Sequence, residues 1–268
     1  MTGLLRTDDF VAAALADSVA AAVAAGVVVR EVTSIDEQSA VVRLLSEIWG
    51  RSLDNPPVPP ELLRAFAKAG NYISAAFDDE RIVGATIGFH STPEKHALHS
   101  HIAGVRPELT GRSVGFAMKQ HQRAWALSRG IDTIEWTFDP LVARNAHFNV
   151  MKLRAMPVEY LTNFYGVMPD VINGEDETDR LLVRWSLRDA DVVAAASGIA
   201  SVADPREPGI ECVRVPADVE RLRVTDLALA RRWRLDVRER LATLLAEGGA
   251  VVGFDRAAGY LVRTGGVS

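Results

Sequence analysis

Between Ala97 and Ser128 the chain changes period. Ala97 to Val105 alternates as a strand does, whereas Val114 to Ser128 sets Phe116, Met118, Trp125, Ala126 and Leu127 at helical spacing. A polar, glycine-bearing loop joins the two. A strand that turns so quickly into a helix must bury a sheet face against a helical stripe, which calls for a layered α/β or α+β fold rather than a helical bundle. The flanking sequence repeats this alternation. Val27–Val32, Tyr72–Phe77, Arg81–Phe89, Thr133–Phe138, Val158–Phe164 and Leu181–Leu187 read as strands. Ser34 caps a helix through about Ile48, and Glu61–Ala69 and Leu141–Leu153 read as further helices. Asp78-Asp79-Glu80 is the short polar connection of a hairpin.

With 268 residues, 48% of them apolar, the chain can bury a full core in one large domain or in a main domain with a smaller one. A net charge of −5 offers no basic stripe for a nucleic acid or an anionic membrane as the main partner. The lone Cys212 cannot form an intramolecular disulfide. No Cys/His spacing suits zinc, so no metal is expected and a reducing cytoplasm is the simplest compartment.

The alanine-rich stretch Val11–Val29 is interrupted by Asp17 and Ser18 and preceded by Asp8 and Asp9. It is therefore read as a helix within residues 1–26, stopped at Gly26, and not as a signal or a membrane span. Residues 190–208, rich in alanine, serine, proline and acids, are expected to be a linker between a main domain, 27–189, and a small C-terminal α/β unit, 209–268. That unit holds a strand at Ile210–Val215, a helix at about Thr225–Glu247 and strands at Val251–Phe254 and Tyr260–Val262. At about 60 residues it is expected to dock on the main domain.

The loop itself, Ala103-Gly104-Val105-Arg106-Pro107 through Gly111-Arg112-Ser113-Val114-Gly115-Phe116-Ala117, has the makings of a pyrophosphate cradle. Glycines admit close backbone approach, the N–H groups at a helix start favour an anion, and Arg112 adds a charged donor. The plainer reading is a tight βα turn with no ligand.

In the order strand, Val-x-Pro turn, glycine loop and helix, this segment resembles the GNAT superfamily of acyl-CoA-dependent N-acyltransferases. Two frames fit. In one, Gly111-Arg112-Ser113-Val114-Gly115 matches Gly-x-Gly-x-Gly, with Thr110 at the usual Arg/Gln position and Ser113 at a usual glycine. In the other, Arg112-Ser113-Val114-Gly115-Phe116-Ala117 matches Arg-x-x-Gly-x-Ala after a longer loop. Within the superfamily, a two-part subgroup is similar at His99-Ser100-His101, Trp136 to Leu141, Asn145 to Asn149 and Trp233-Arg234.

The resemblance implies a central mixed, mostly antiparallel sheet flanked by helices, with acetyl-CoA or another acyl-CoA as co-substrate. It assigns contacts with the co-substrate to Ala103, Gly104, Val105, Gly111, Arg112, Ser113, Val114, Gly115, Phe116 and Asn145. The acceptor it implies is a small amine or amino acid. Acetyl is the default acyl group, and succinyl stays open.

An ammonium acceptor must lose a proton before attacking a thioester. The strand position where many family members carry a glutamate holds His101. Alternation places His99, His101, Ala103 and Val105 on one face, where the two histidines are read as a base, a metal-binding pair or ordinary hydrogen-bonding residues. Glu135, on the next strand, is a second candidate base or an ion-pair member. Tyr165 or Tyr160 stands in for the tyrosine that protonates the departing thiolate, since Asn145–Leu153 contains none. Asp139-Pro140 reads as a strand-ending turn or as a carboxylate that faces a ligand crevice at the end of its strand, and Arg231, Arg232 and Arg234 as a solvated helix face or an anion contact. A non-catalytic acyl-CoA-binding or partner-binding module is the competing reading. A homodimer is compatible with either.

Overall fold

A computed structural model describes residues 7–166, 168, 176–199 and 203–265. Residues 1–6 of the expected N-terminal segment and 200–202 of the expected linker lie outside the described residues. The chain forms two compact units, 1–134 and 135–268, so it divides within a strand and not in the stretch 190–208.

In the first unit, α1 (Thr7–Ala25) leads to β1 (Val28–Glu31), α2 (Ile35–Trp49), α3 (Pro60–Lys68), β2 (Tyr72–Asp78), β3 (Arg81–His90), β4 (Ala97–Val105) and α4 (Val114–Leu127). The Ser34 side chain accepts the Glu37 N–H at 3.2 Å and starts α2, and Gly50 closes it in the left-handed region at φ 61°. β1 to β4 pair in sequence as an antiparallel meander.

Alternation along the strands then sorts the core. Ile73, Ala75, Phe77, Ala85 and Ile87 pack with Val41, Leu44 and Leu45 of α2 and Leu63 of α3. Ala76 and Val83 face the other way, against Ala25 of α1 and Val114, Ala117 and Met118 of α4. Helices thus cover both faces, as the layered reading requires.

The second unit contains most of β5 (Thr133–Phe138), α5 (Ala143–Ala146), a π-helical turn (His147–Lys152), β6 (Met156–Leu161), β7 (Arg180–Ser186), α6 (Ala190–Ala196), β8 (Ile210–Val213), α7 (Val219–Thr225), α8 (Leu227–Ala246), β9 (Ala250–Asp255) and β10 (Gly259–Arg263). Strand order is β5-β7-β6, with β6 and β7 antiparallel, and β8-β10-β9 form a second antiparallel sheet. Trp136 meets Trp185 edge to face at 5.9 Å between ring centroids.

Three elements differ from expectation. The Asp139 carboxylate accepts the Leu141 N–H at 2.9 Å and Val142 is extended, so the helix expected from Leu141 starts at Ala143 and continues as the π turn. The expected long helix is α8, which the Asp226 side chain caps by accepting the Leu229 N–H at 2.9 Å, and an additional short helix, α7, precedes it. α6 occupies the first part of the expected linker and buries Val192 and Ala195.

Candidate active site

The expected site residues fall into two groups, one in each unit. In residues 1–134 they sit on β4 and the start of α4. Ile87 pairs with Ile102 and Gly88 with Ser100, so His101 is an extra residue, a β-bulge in β4. The bulge changes which side chains share a face.

His99 and His101 remain together on the α2/α3 face. Their ring centroids are 6.3 Å apart, and they lie 4.9 and 5.7 Å from the Phe89 ring. Beyond the bulge the phase is reversed. Ile102 packs with the α2/α3 core, the space beside Gly104 is filled by Trp49 and Ile48, and Val105 packs with the α1/α4 core. Simple alternation had set Ala103 and Val105 on the histidine face, and the extra residue overturns that. The His101 imidazole keeps an exposed edge, while burial among its neighbours pushes its pKa below the ordinary histidine value.

Ser100, between the two histidines, faces the opposite layer. Its hydroxyl lies 3.0 Å from Nζ of buried Lys119, which also reaches Gln122 Oε1 at 2.8 Å. Burial drives the Lys119 pKa well down. Residue order alone could not have found Lys119, since both faces of α4 are largely buried.

The loop after β4 makes a single 3₁₀ turn at Pro107–Leu109. Gly111 follows at φ 91° with open space where a Cβ would be, and Ser113 takes φ 62° as the residue that enters α4. The first intrahelical bond of α4 runs from the Ala117 N–H to the Ser113 carbonyl at 3.0 Å, so the N–H groups of Val114, Gly115 and Phe116 precede any helical acceptor. Such a donor set suits a phosphate oxygen.

Arg112 pairs with Asp78 at 3.3 Å and reaches the Ala25 carbonyl at 3.5 Å, and Arg106 pairs with Glu47 at 2.8 Å. Both cations that flank the loop are thus engaged by the protein. A groove of about 570 Å³ beside Arg106 is lined by Arg30, Glu37, Arg43 and Glu47, with Arg30 and Glu37 paired at 2.6 Å.

In residues 135–268, buried Glu135 accepts from Arg184 Nε at 2.9 Å, which makes it an ion-pair member. The Tyr165 hydroxyl lies 3.0 Å from Thr137 Oγ1, with the Arg180 guanidinium 5.3 Å from its ring centroid. Tyr160 donates to Asp179 at 2.6 Å. Asn145 is half-buried behind Val142, and Asn149 accepts the Trp136 indole N–H at 3.3 Å.

Asp139 and Arg234 differ from both sequence readings, since neither is a simple turn residue or a solvated charge. Arg234 of α8 holds Asp139 at 3.1 Å and Asp176 at 2.8 Å. Arg223 of α7 pairs with both carboxylates, and Arg238 holds Asp179 at 2.7 Å. Burial raises the Asp139 carboxyl, but Arg234, Arg223 and Arg180 outweigh it and hold it below the usual range.

Among the described residues no group of three or more His, Cys, Asp or Glu is placed to hold a metal ion, and no helix is long and apolar enough to cross a membrane.

Residues 13–141 match the family model of the acetyltransferase (GNAT) domain. The match spans just under half of the chain. Acyl transfer from acyl-CoA to an amine is the chemistry of that family. An N-acetyltransferase from Staphylococcus aureus Mu50 superposes with a TM-score of 0.50 at 13% identity, over 60% of this chain and 99% of that one. A probable acetyltransferase from Staphylococcus epidermidis ATCC 12228 gives 0.50 at 14% identity, over 60% and 98%. At such identities these likenesses speak for the fold, a mostly antiparallel sheet flanked by helices. The ribosomal-protein-S18-alanine N-acetyltransferase of Escherichia coli is similar at 12% identity over 61% of this chain and 96% of that one, with a TM-score of 0.47. No curated protein matches this chain.

Proposed function

We propose that this chain transfers an acyl group, acetyl in the simplest case, directly from acyl-CoA to a small amine or amino acid, with His101 taking the ammonium proton. The observation that carries the reading is the bulge that turns His101 out of the strand's regular pairing, beside Phe89 and His99. Its depressed pKa leaves the imidazole neutral near pH 7, the form that accepts a proton.

The neutralised amine attacks the thioester carbonyl, the C–N bond forms, and the C–S bond breaks to release CoA thiolate. The attacking nitrogen sheds its surplus proton to water, and the thiolate takes one from water. The α4 N–H groups of Val114, Gly115 and Phe116, with Gly111 leaving room for close approach, receive the pyrophosphate. Ala103, Gly104 and Val105 contribute main chain to the pantetheine arm. Glu135, engaged by Arg184, is assigned to holding its strand and not to proton transfer.

Free-thiol release from acetyl-CoA and succinyl-CoA across an amine panel tests the reading. His101→Ala is expected to lower kcat by about 10²–10⁴-fold while leaving CoA affinity within a few fold. The wild-type rate should fall as pH drops below a pKa under 6.5, and the variant should lose that limb. A variant with an unchanged rate at every pH would remove His101 from the mechanism. Thr110 and Ser113, which stand where the family pattern has Arg/Gln and Gly, and the lack of a tyrosine in Asn145–Leu153 favour a second reading, an acyl-CoA-binding or partner-binding module without turnover. Tight binding with no thiol release from any mixture would establish it for those substrates.

A further inference from the structure

α1 is apolar on both sides. One side carries Ala14, Ser18 and Ala25 into contact with the rest of the first unit, where Asp17 pairs with Arg123 of α4 at 3.1 Å. The other side consists of two rows with four-residue spacing. Leu15, Val19 and Val23 form a ridge, exposed to 51, 64 and 74%, and Ala12, Ala16, Ala20 and Ala24, all exposed, form a furrow beside it. No charged or hydrogen-bonding side chain falls in either row. A soluble helix ordinarily carries polar residues on the face opposite its core, so a half-turn this bare is one that a partner covers.

We propose that the partner is a second copy of this chain, with α1 packed on α1. The ridge and the furrow are complementary to one another. A two-fold axis seats each ridge in the other copy's furrow, the i±4 packing that crosses at about −50°, with alanines allowing close approach. Between Ala12 and Ala24 these two rows carry no charge, and exposed Asp9, at the N-terminal end of the same side, is held away from its copy by a crossing centred on Val19 and Ala20. Three aliphatic residues and four alanines per copy make a patch much smaller than the roughly 20–30 residues a side of a stable interface, so the dimer is expected to dissociate on dilution. A lipid surface is the less suited occupant. α1 has no Lys or Arg, bears Asp9 and Asp17, and carries no aromatic residue on the exposed face, whereas interfacial helices depend on basic flanks and aromatic anchors.

Sedimentation equilibrium of the full chain from about 1 to 100 µM is expected to show a monomer–dimer equilibrium. Val19→Arg and Ala20→Arg should each weaken it at least about tenfold, with unchanged circular dichroism, because both positions are solvent-exposed in the monomer. Ala20→Cys, oxidised under conditions where the parent with its lone Cys212 does not cross-link, should give a covalent dimer even if an arginine variant misfolds. A parent that stays monomeric throughout, a dimer indifferent to both arginines, or an Ala20→Cys chain that does not cross-link would overturn the proposal. Binding of the monomer to phosphatidylcholine–phosphatidylglycerol vesicles, lost in Val19→Arg, would overturn it in favour of a lipid surface.

Discussion

Ser113 is held at φ 62°, where an L side chain brings its Cβ close to the carbonyl, and its hydroxyl makes no capping bond to α4. Left-handed geometry costs a non-glycine residue about 1–2 kcal/mol, and a β-branched side chain suffers most. Ser113→Gly is therefore expected to be no less stable than the parent, and Ser113→Val to be less stable than Ser113→Gly by about 1–2 kcal/mol in urea denaturation. Equal midpoints for the two variants would show that the position bears no such strain. The sequence already marked Ser113 as the residue standing where a glycine is usual, because backbone demands at a tight turn act locally. His101 was only half legible. Its place on the strand before Val105 could be counted, but the bulge depends on which residues of β3 it faces, and nothing within β4 announces an extra residue. The same long-range dependence hides Lys119, a lysine at an ordinary helical position that becomes buried because Ser100 lies across from it.

At the level of elements, strands were read well where one face meets apolar core and helices where caps are present. β4 and β5 run over the residues expected of them, and Ser34 starts α2 as its spacing implied. In the second unit the long helix was read to within two residues, whereas α7 was missed, because it rests on the Asp218 cap and is too short for an apolar period to register. Arg234 illustrates the same gap. In α8 it has arginines on either side in sequence, yet exposed Arg232 faces solvent and Arg234 is buried against Asp139 and Asp176. Removing one member of such a buried set strands its counter-charges, so Arg234→Met is expected to cost about 3–5 kcal/mol. Arg232→Met should stay within about 0.5 kcal/mol of the parent. Chemical denaturation of the two variants checks this, and a near-neutral Arg234→Met would mean that Arg223 and Arg238 alone satisfy the carboxylates.

Over the whole molecule, the titratable groups divide acid sensitivity into two pH ranges. Burial depresses the pKa of His101 and His121 in residues 1–134 and of His147 in 135–268, so their neutral forms belong to the folded state. The unfolded chain takes up these protons first, and the corresponding stability is lost as pH falls below about 6.5. For Asp139 and Asp179 burial acts to raise the pKa, but arginines and hydrogen bonds prevail and depress it. A depressed carboxylate contributes stability that is fully present above its unfolded value, near 4, and is lost as pH falls through its folded one. In residues 1–134 the depressed carboxylates, Glu37, Glu94 and Glu108, lie at the surface, where water and salt screen their partners. The second loss therefore belongs to residues 135–268 alone. Hydrogen exchange at pH 7, at pH 5.5 and in steps from about 4 down to about 2, corrected for intrinsic rates, should show α7, α8 and β7 protected at 5.5 and opening within the acid steps, ahead of β2 and β3. Full protection of α8 down to the lowest pH, where the carboxylates are protonated, would show that they are not what ties α7 and α8 to the segment 176–180.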